Sequence, residues 1–218
     1  MKDKDIVLAV ATLKGGSGKS TVAGCLAVHW REAGHHPVLI DADPQRSLVR
    51  LAQRERALGG VPVHESSESG DDIATLARHL ATEHSPVIVD TAGFRAPSTL
   101  AALAAANLVL VPVKPSPLDV DVMLDTARAL FHTANGKVPR FYCLLTQTTR
   151  DSVIARHIRN ELREGGFPLL ESELINRVGY CEAALFGATP TLLDPRGPAA
   201  ADIAALAAEI EKLLETAP

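Results

Sequence analysis

Hydrophobic residues along the chain fall into two patterns. Residues 6–11, 37–40, 86–89, 108–111 and 141–145 form continuous apolar runs without polar alternation, as in strands covered on both faces. Shorter apolar stretches at 61–63 and 168–170 predict two further strands. Between the runs, apolar positions recur at helical spacing. They predict helices over residues 22–33, 44–58, 97–106, 118–132, 152–164, 181–185 and 199–214. Another opens at Asp71 and Asp72, with Ile73, Leu76 and Leu80 as its apolar stripe. Residues 112–117 are too rich in proline for either regular structure and predict an ordered loop. Strands alternating with helices give an α/β fold, a mostly parallel, doubly wound sheet with helices on both faces. Ligands of such sheets bind at the carboxyl ends of the strands, so the residues there carry the functional argument.

Composition changes this picture little. The chain has 218 residues, 46% of them hydrophobic and 22% charged, which suits one sizeable core and a single domain over 1–218. A net charge of −4 argues against wholesale coating of nucleic acid and leaves room for a local basic patch. Cys25, Cys143 and Cys181 form no C-x-x-C pair and read as reduced, buried residues of a cytoplasmic protein. Residues 1–5 lead straight into the first strand, so no signal peptide is expected. No apolar run approaches the ~20 residues of a membrane span.

Chemistry concentrates at three strand ends. After the first comes Lys14-Gly15-Gly16-Ser17-Gly18-Lys19-Ser20-Thr21, followed by a helical pattern. A strand, a glycine-rich turn and a helix in that order make a phosphate-binding loop. Its backbone amides and the helix N-terminus face the anion, Lys19 adds a point charge, and Ser20 can ligate magnesium. The usual G-x-x-x-x-G-K-[ST] pattern has glycine where this chain has Leu13, and Lys14 is a cation beyond what binding one triphosphate requires. The second strand ends in Asp41-Ala42-Asp43-Pro44-Gln45. Asp43, nearer the tip, is the candidate for orienting or deprotonating an attacking water, with Asp41 supporting the loop or the metal shell. Asp90 closes the fourth strand as a Walker B aspartate does and can hold magnesium. Aspartates that merely cap the helices after them remain the plainer alternative.

Together with Val111-Pro112-Val113-Lys114-Pro115-Ser116-Pro117-Leu118-Asp119, these motifs occur in the order and spacing of the ParA/MinD family of deviant Walker A ATPases. The chain is most similar to the short, ParF-like ParA type, and the resemblance covers nearly its whole length. It implies ATP and Mg2+ as cofactors, with Lys14 to Thr21 on the nucleotide and Ser20, Asp43 and Asp90 on the metal. Lys14, Lys19 and Asp43 are the implied catalytic residues. Two subunits would sandwich ATP, with Lys14 reaching the partner's phosphates much as an arginine finger does. The loop containing Pro112 and Pro115 resembles the family's adenine and ribose contact region.

The resemblance further implies an ATP-dependent homodimer that binds DNA without sequence preference and is nucleoid-associated. A ParB/ParG-like or other cargo adaptor would stimulate hydrolysis. Residues 128–163 hold seven Lys/Arg against two Asp/Glu, and Arg150, Arg156, Arg159 and Arg163 lie in or beside one helix. Arg177 matches a DNA-binding region of ParA relatives, although Gly179 stands where a second arginine often does. A solvated helix face would show the same charge run. Two other readings compete. A MinD-like membrane-associated ATPase needs a basic amphipathic C-terminal helix, and residues 207–218 are acidic and alanine-rich. A metabolic enzyme of the nitrogenase-reductase kind needs a cysteine soon after Asp90, and none precedes Cys143.

Overall fold

The computed structural model describes residues 5–12, 15–66, 70–93, 96–116 and 140–215. Its strands are β1 (Val7–Val10), β2 (Val38–Ala42), β3 (Val63–Glu65), β4 (Val87–Thr91), β5 (Leu108–Val113), β6 (Phe141–Thr148) and β7 (Leu169–Ile175). The helices are α1 (Lys19–Glu32), α2 (Ser47–Ala52), α3 (Gly70–Ala81), α4 (Pro97–Ala105), α5 (Val153–Glu164), α6 (Val178–Leu185), α7 (Pro190–Leu193) and α8 (Pro198–Glu215). The expected helix over 118–132 and residues 117–119 lie outside the described residues.

All seven strands join one sheet in the order β3-β2-β4-β1-β5-β6-β7, and every pairing is parallel. From β1 the chain first builds one side of the sheet through β2, β3 and β4, then the other through β5, β6 and β7. The crevice at such a reversal, above the end of β1, is where an open α/β sheet takes a ligand. The apolar runs are continuous because successive side chains enter different layers. Leu8, Leu39, Ile88 and Leu110 pack with α1 and α8, while Val7, Ala9, Ile40, Val89 and Val109 pack toward α3, α4 and α5. Trp30 is fully buried between α1 and α8, and its indole Nε1 donates to Glu211 Oε1 at 2.7 Å.

Several boundaries differ from expectation. Pro112 lies inside β5, not in a loop. Val109 donates toward β6 and Leu110 accepts from the β1 side, so Pro112 also faces the β1 side, where pairing has ended at Val10–Leu110. Its missing N–H therefore costs no ladder bond. The helix expected over 44–58 is cut to Ser47–Ala52, followed by a run of left-handed residues, Ala57 to Gly60. β6 and β7 run further than their apolar cores, and α7 was not expected. In β7, Leu169 and Glu173 stand opposite Cys143 and Leu145, so extra residues bulge between them. The bulge amides of Glu171 and Ser172 both donate to the Glu209 carboxylate at 2.8 Å.

Candidate active site

The glycine-rich turn folds as a cradle. Gly16 and Gly18 take left-handed φ values of 79° and 93°, which residues with a β-carbon rarely adopt. Gly18 caps α1, and its carbonyl accepts from Val22 N at 2.8 Å. β6 holds the turn from behind: the Thr146 hydroxyl donates to Ser17 O at 2.8 Å and Gln147 Nε2 to Gly16 O at 2.7 Å. With those carbonyls engaged, the amides of the turn are the groups left to meet an anion. A β-carbon at Gly15 or Gly16 would meet nothing within 4 Å, so the open side of the turn has room for a phosphate chain. Leu13 and Lys14 lie outside the described residues.

In front of the turn is a cleft of about 590 Å³. Lys19, Ser20 and Thr21 line it on one side, Asp43 and Gln45 on another, and Arg50 and Arg54 of the α2 segment on a third. Lys19 is buried despite its charge, which fits a lysine built to meet an anion.

Asp41 and Asp90 are register partners on adjacent strands, and Val10 pairs with Asp90 on its other side. Asp41 is spent on structure. Its Oδ2 accepts from Leu48 N at 2.9 Å and Val49 N at 3.1 Å, and its Oδ1 from Asp43 N at 3.3 Å. The carboxylate thus caps α2 from a neighbouring strand, which is why that helix begins at Ser47 and not at Pro44. Burial raises the Asp41 pKa, the amides of Val49, Asp43 and Leu48 oppose the rise, and the Asp43 charge adds to it. Asp43 sits half-buried at the tip, its Oδ1 accepting from Gln45 N at 2.9 Å.

Asp90 is fully buried, and neither of its oxygens has a hydrogen-bond partner among the described residues. Burial pushes its pKa up to about 7; Ser20 and Lys19 favour the charged form, while Asp41 and Asp43 oppose it. The Ser20 hydroxyl is thus near enough to act on Asp90, without a hydrogen bond of good geometry. An unpartnered buried carboxylate beside a hydroxyl, with a second carboxylate at the cleft wall, is a donor set of hard oxygens that suits Mg2+. The residues present fit a magnesium nucleotide.

A smaller, mostly apolar cavity of about 220 Å³ opens on the other side of Gly18. Thr146, Gln147, Arg177, Tyr180 and Cys181 line it. Sequence reasoning missed Thr146 and Gln147, although a polar pair following Leu144-Leu145 is the same strand-end signal that exposed Asp43 and Asp90. Pro112 is buried in β5 and Pro115 follows it; neither borders the two cavities described here. Cys181 is exposed, unlike the buried Cys25 and Cys143, which corrects the expectation for that residue.

Most of the arginines read as a basic face are ion-paired. Arg177 grips Asp202 with two bonds, Nε to Oδ2 at 2.7 Å and Nη2 to Oδ1 at 3.1 Å. Arg159 pairs with Glu173 at 3.1 Å, and Arg163 with Glu171 at 2.6 Å. Arg150 and Arg156 are exposed, and no ion pair is formed by either among the described residues.

Known proteins resemble the chain along most of its length. Residues 8–190 match the CobQ/CobB/MinD/ParA nucleotide binding domain. The maintenance of carboxysome distribution protein A of Halothiobacillus neapolitanus is 30% identical over 205 residues, covering 92% of this chain and 93% of that protein. Protein ParA of Rhizobium radiobacter is 27% identical over 185 residues, 83% of each chain. Among solved structures, the cell division ATPase MinD of Pyrococcus furiosus superposes with a TM-score of 0.75 at 18% identity, covering 96% of this chain and all of that one. MinD of Pyrococcus horikoshii complexed with Mg-ADP gives 0.76 at 17% identity, covering 95% and 96%.

Proposed function

The chain belongs to the CobQ/CobB/MinD/ParA nucleotide-binding family as a ParA/MinD-type ATPase, with ATP and Mg2+ as its cofactors, and we propose that it works as an ATP-driven positioning switch. One observation carries this reading: the phosphate loop and Asp43 line one cleft, and the buried Asp90 lies behind it within reach of Ser20 and Lys19. The residues around it divide the work. Gly15 to Thr21 hold the phosphates, and Lys19 sets a fixed positive charge against them. Ser20, Asp43 and Asp90 are the residues that would hold the metal. Bound Mg2+ neutralises charge on the phosphate oxygens. Asp43 orients the attacking water, its carboxylate held at the cleft wall by Gln45 N. Lys14 reaches across a two-fold dimer to the partner's phosphates, so the dimer forms with ATP and parts after hydrolysis.

The cargo is a plasmid, a chromosome region or a protein body, and the relative named for carboxysome distribution supports the last. The ATP dimer holds non-specific DNA of the nucleoid, and a ParB/ParG-like or other adaptor stimulates release. Arg150 and Arg156 are the exposed cations for phosphate contact, while Arg159, Arg163 and Arg177 would first have to leave their carboxylates. Membrane attachment through α8 is disfavoured because its apolar side chains, Ile203, Leu206, Ile210 and Leu214, are buried in the core. Light scattering with ATP and with ADP, for the native protein and Lys14→Ala, tests the sandwich. An ATP dimer with normal hydrolysis in Lys14→Ala would refute it while the phosphate loop stood. DNA retention at moderate salt, present with ATP and absent with ADP, tests the nucleoid reading.

A further inference from the structure

We propose that Arg54 is a positioning residue for ATP hydrolysis: it ties the segment bearing Asp43 and Gln45 to α6, so that the two cavities flanking the phosphate loop keep one fixed relation. The proposal rests on Asp43 as the residue that orients water.

α2 is held at its start by Asp41 and, just past its end, by the close of α6. Arg54 Nη1 donates to Ala184 O at 2.8 Å and Leu185 O at 3.1 Å. Arg56 N donates to Phe186 O and Leu58 N to Gly187 O, both at 2.8 Å. Carbonyls at a helix end carry partial negative charge, which suits a guanidinium on Ala184 O and Leu185 O, while the two amides hold the turn that follows at Phe186 and Gly187. α6 closes its own end in part, Ala183 O accepting from Phe186 N at 3.1 Å and Ala188 N at 3.0 Å, and the 54–58 segment adds donors to the carbonyls from Ala184 to Gly187.

Two features show how closely this joint is fitted. Gly187 adopts φ +68°, and a β-carbon there would collide with Leu51 O and with the Arg54 β-carbon. Ala57 and Leu58 stand at φ 42° and 49°, a left-handed backbone that residues with a β-carbon keep only where their surroundings impose it. The bonds to Phe186 O and Gly187 O impose it here. At its two ends the joint reaches the site: Arg54 lines the phosphate cleft with Lys19 and Asp43, and α6 brings Tyr180 and Cys181 to the smaller cavity. One guanidinium nitrogen is committed to carbonyls, so Arg54 acts on the reaction through the placement of its segment.

Steady-state hydrolysis separates this role from others. Arg54→Ala should lower kcat about tenfold, because small misplacement of a water-orienting group costs rate, with KM for ATP changed less than about threefold. Arg54→Lys, whose ammonium can still donate to the α6 carbonyls, should recover most of kcat. Gly187→Ala, which wedges the same joint without touching a charge, should reproduce the loss. If Arg54→Ala melts within the assay range, Arg54→Met, which keeps the stem and has no donor, carries the same expectation for kcat. Unchanged kcat in Arg54→Ala or Arg54→Met would overturn the proposal. So would an Arg54→Lys protein as slow as Arg54→Ala with a raised KM, since that would make Arg54 a direct phosphate ligand. Asp43→Ala distinguishes the two readings. Normal turnover there would overturn the Asp43 assignment and the route by which Arg54 acts. An inactive Asp43→Ala beside a fully active Arg54→Ala would overturn the Arg54 proposal alone.

Discussion

Asp90 carries a carboxyl whose ionisation the fold opposes, and Asp90→Asn isolates that cost. Burial lifts its pKa from 3.8 to about 7. In the unfolded chain the group titrates near ~3.9. Between those values the folded protein keeps a proton that the unfolded chain has released. The resulting stabilisation is full below about pH 4 and is lost as pH rises through about 7. A displacement of that size corresponds to roughly 4 kcal/mol in all, and more than half of it disappears between about pH 5 and pH 8. Asparagine has nearly the same shape and does not titrate. Urea unfolding of both proteins in EDTA, without nucleotide, should therefore give stability profiles that diverge. The native protein loses roughly 2–3 kcal/mol relative to Asp90→Asn across that window. Saturating Mg2+ and ATP should reverse the order at pH 8, because only the carboxylate form offers a charged ligand to the metal. Parallel profiles in EDTA would refute the reasoning, for they would mean that Asp90 does not hold its proton in the folded state.

Other substitutions probe separate parts of the site. Lys19→Ala should abolish ATP binding measured by calorimetry, and unchanged affinity would remove the phosphate-loop assignment. Asp41→Ala removes the carboxylate that accepts from Leu48 N and Val49 N and should cost roughly 1–2 kcal/mol of stability in denaturant unfolding, with hydrolysis slowed as α2 loosens. Arg177→Ala leaves Asp202 without its partner and should cost roughly 2 kcal/mol. If that variant loses DNA retention while its unfolding midpoint is unchanged, the ion pair is not structural.

The α/β architecture was legible because both faces of the sheet are covered, which leaves apolar runs that no surface strand would have. The phosphate loop, Asp43 and Asp90 were legible because their chemistry sits at strand ends. What escaped depends on side-chain partners that a local pattern does not reveal. Pro44 was the local signal for a helix start, but the Asp41 carboxylate places that start at Ser47. The apolar run of β6 stops at Leu145, yet the strand continues through Thr146 and Gln147 because those side chains brace the phosphate loop. A charge count over 128–163 finds seven cations and two anions, but Glu171 and Glu173 lie beyond that window and neutralise Arg163 and Arg159 in space, as Asp202 does for Arg177. Charge balance along a chain is a poor guide to charge balance on its surface.

The bulge in β7 bears on whether this protein can add to itself. An open sheet ends in two outer strands, and another chain's strand can extend either one by backbone pairing. β3 offers only three residues for such growth. β7 offers seven, but two consecutive amides in its middle are already bonded to Glu209 of α8, and the bulge there interrupts the straight run of donors and acceptors that an incoming strand requires. A carboxylate on the last helix therefore works as a stopper against filament growth. A strand adding at β7 would first have to break both bonds to Glu209.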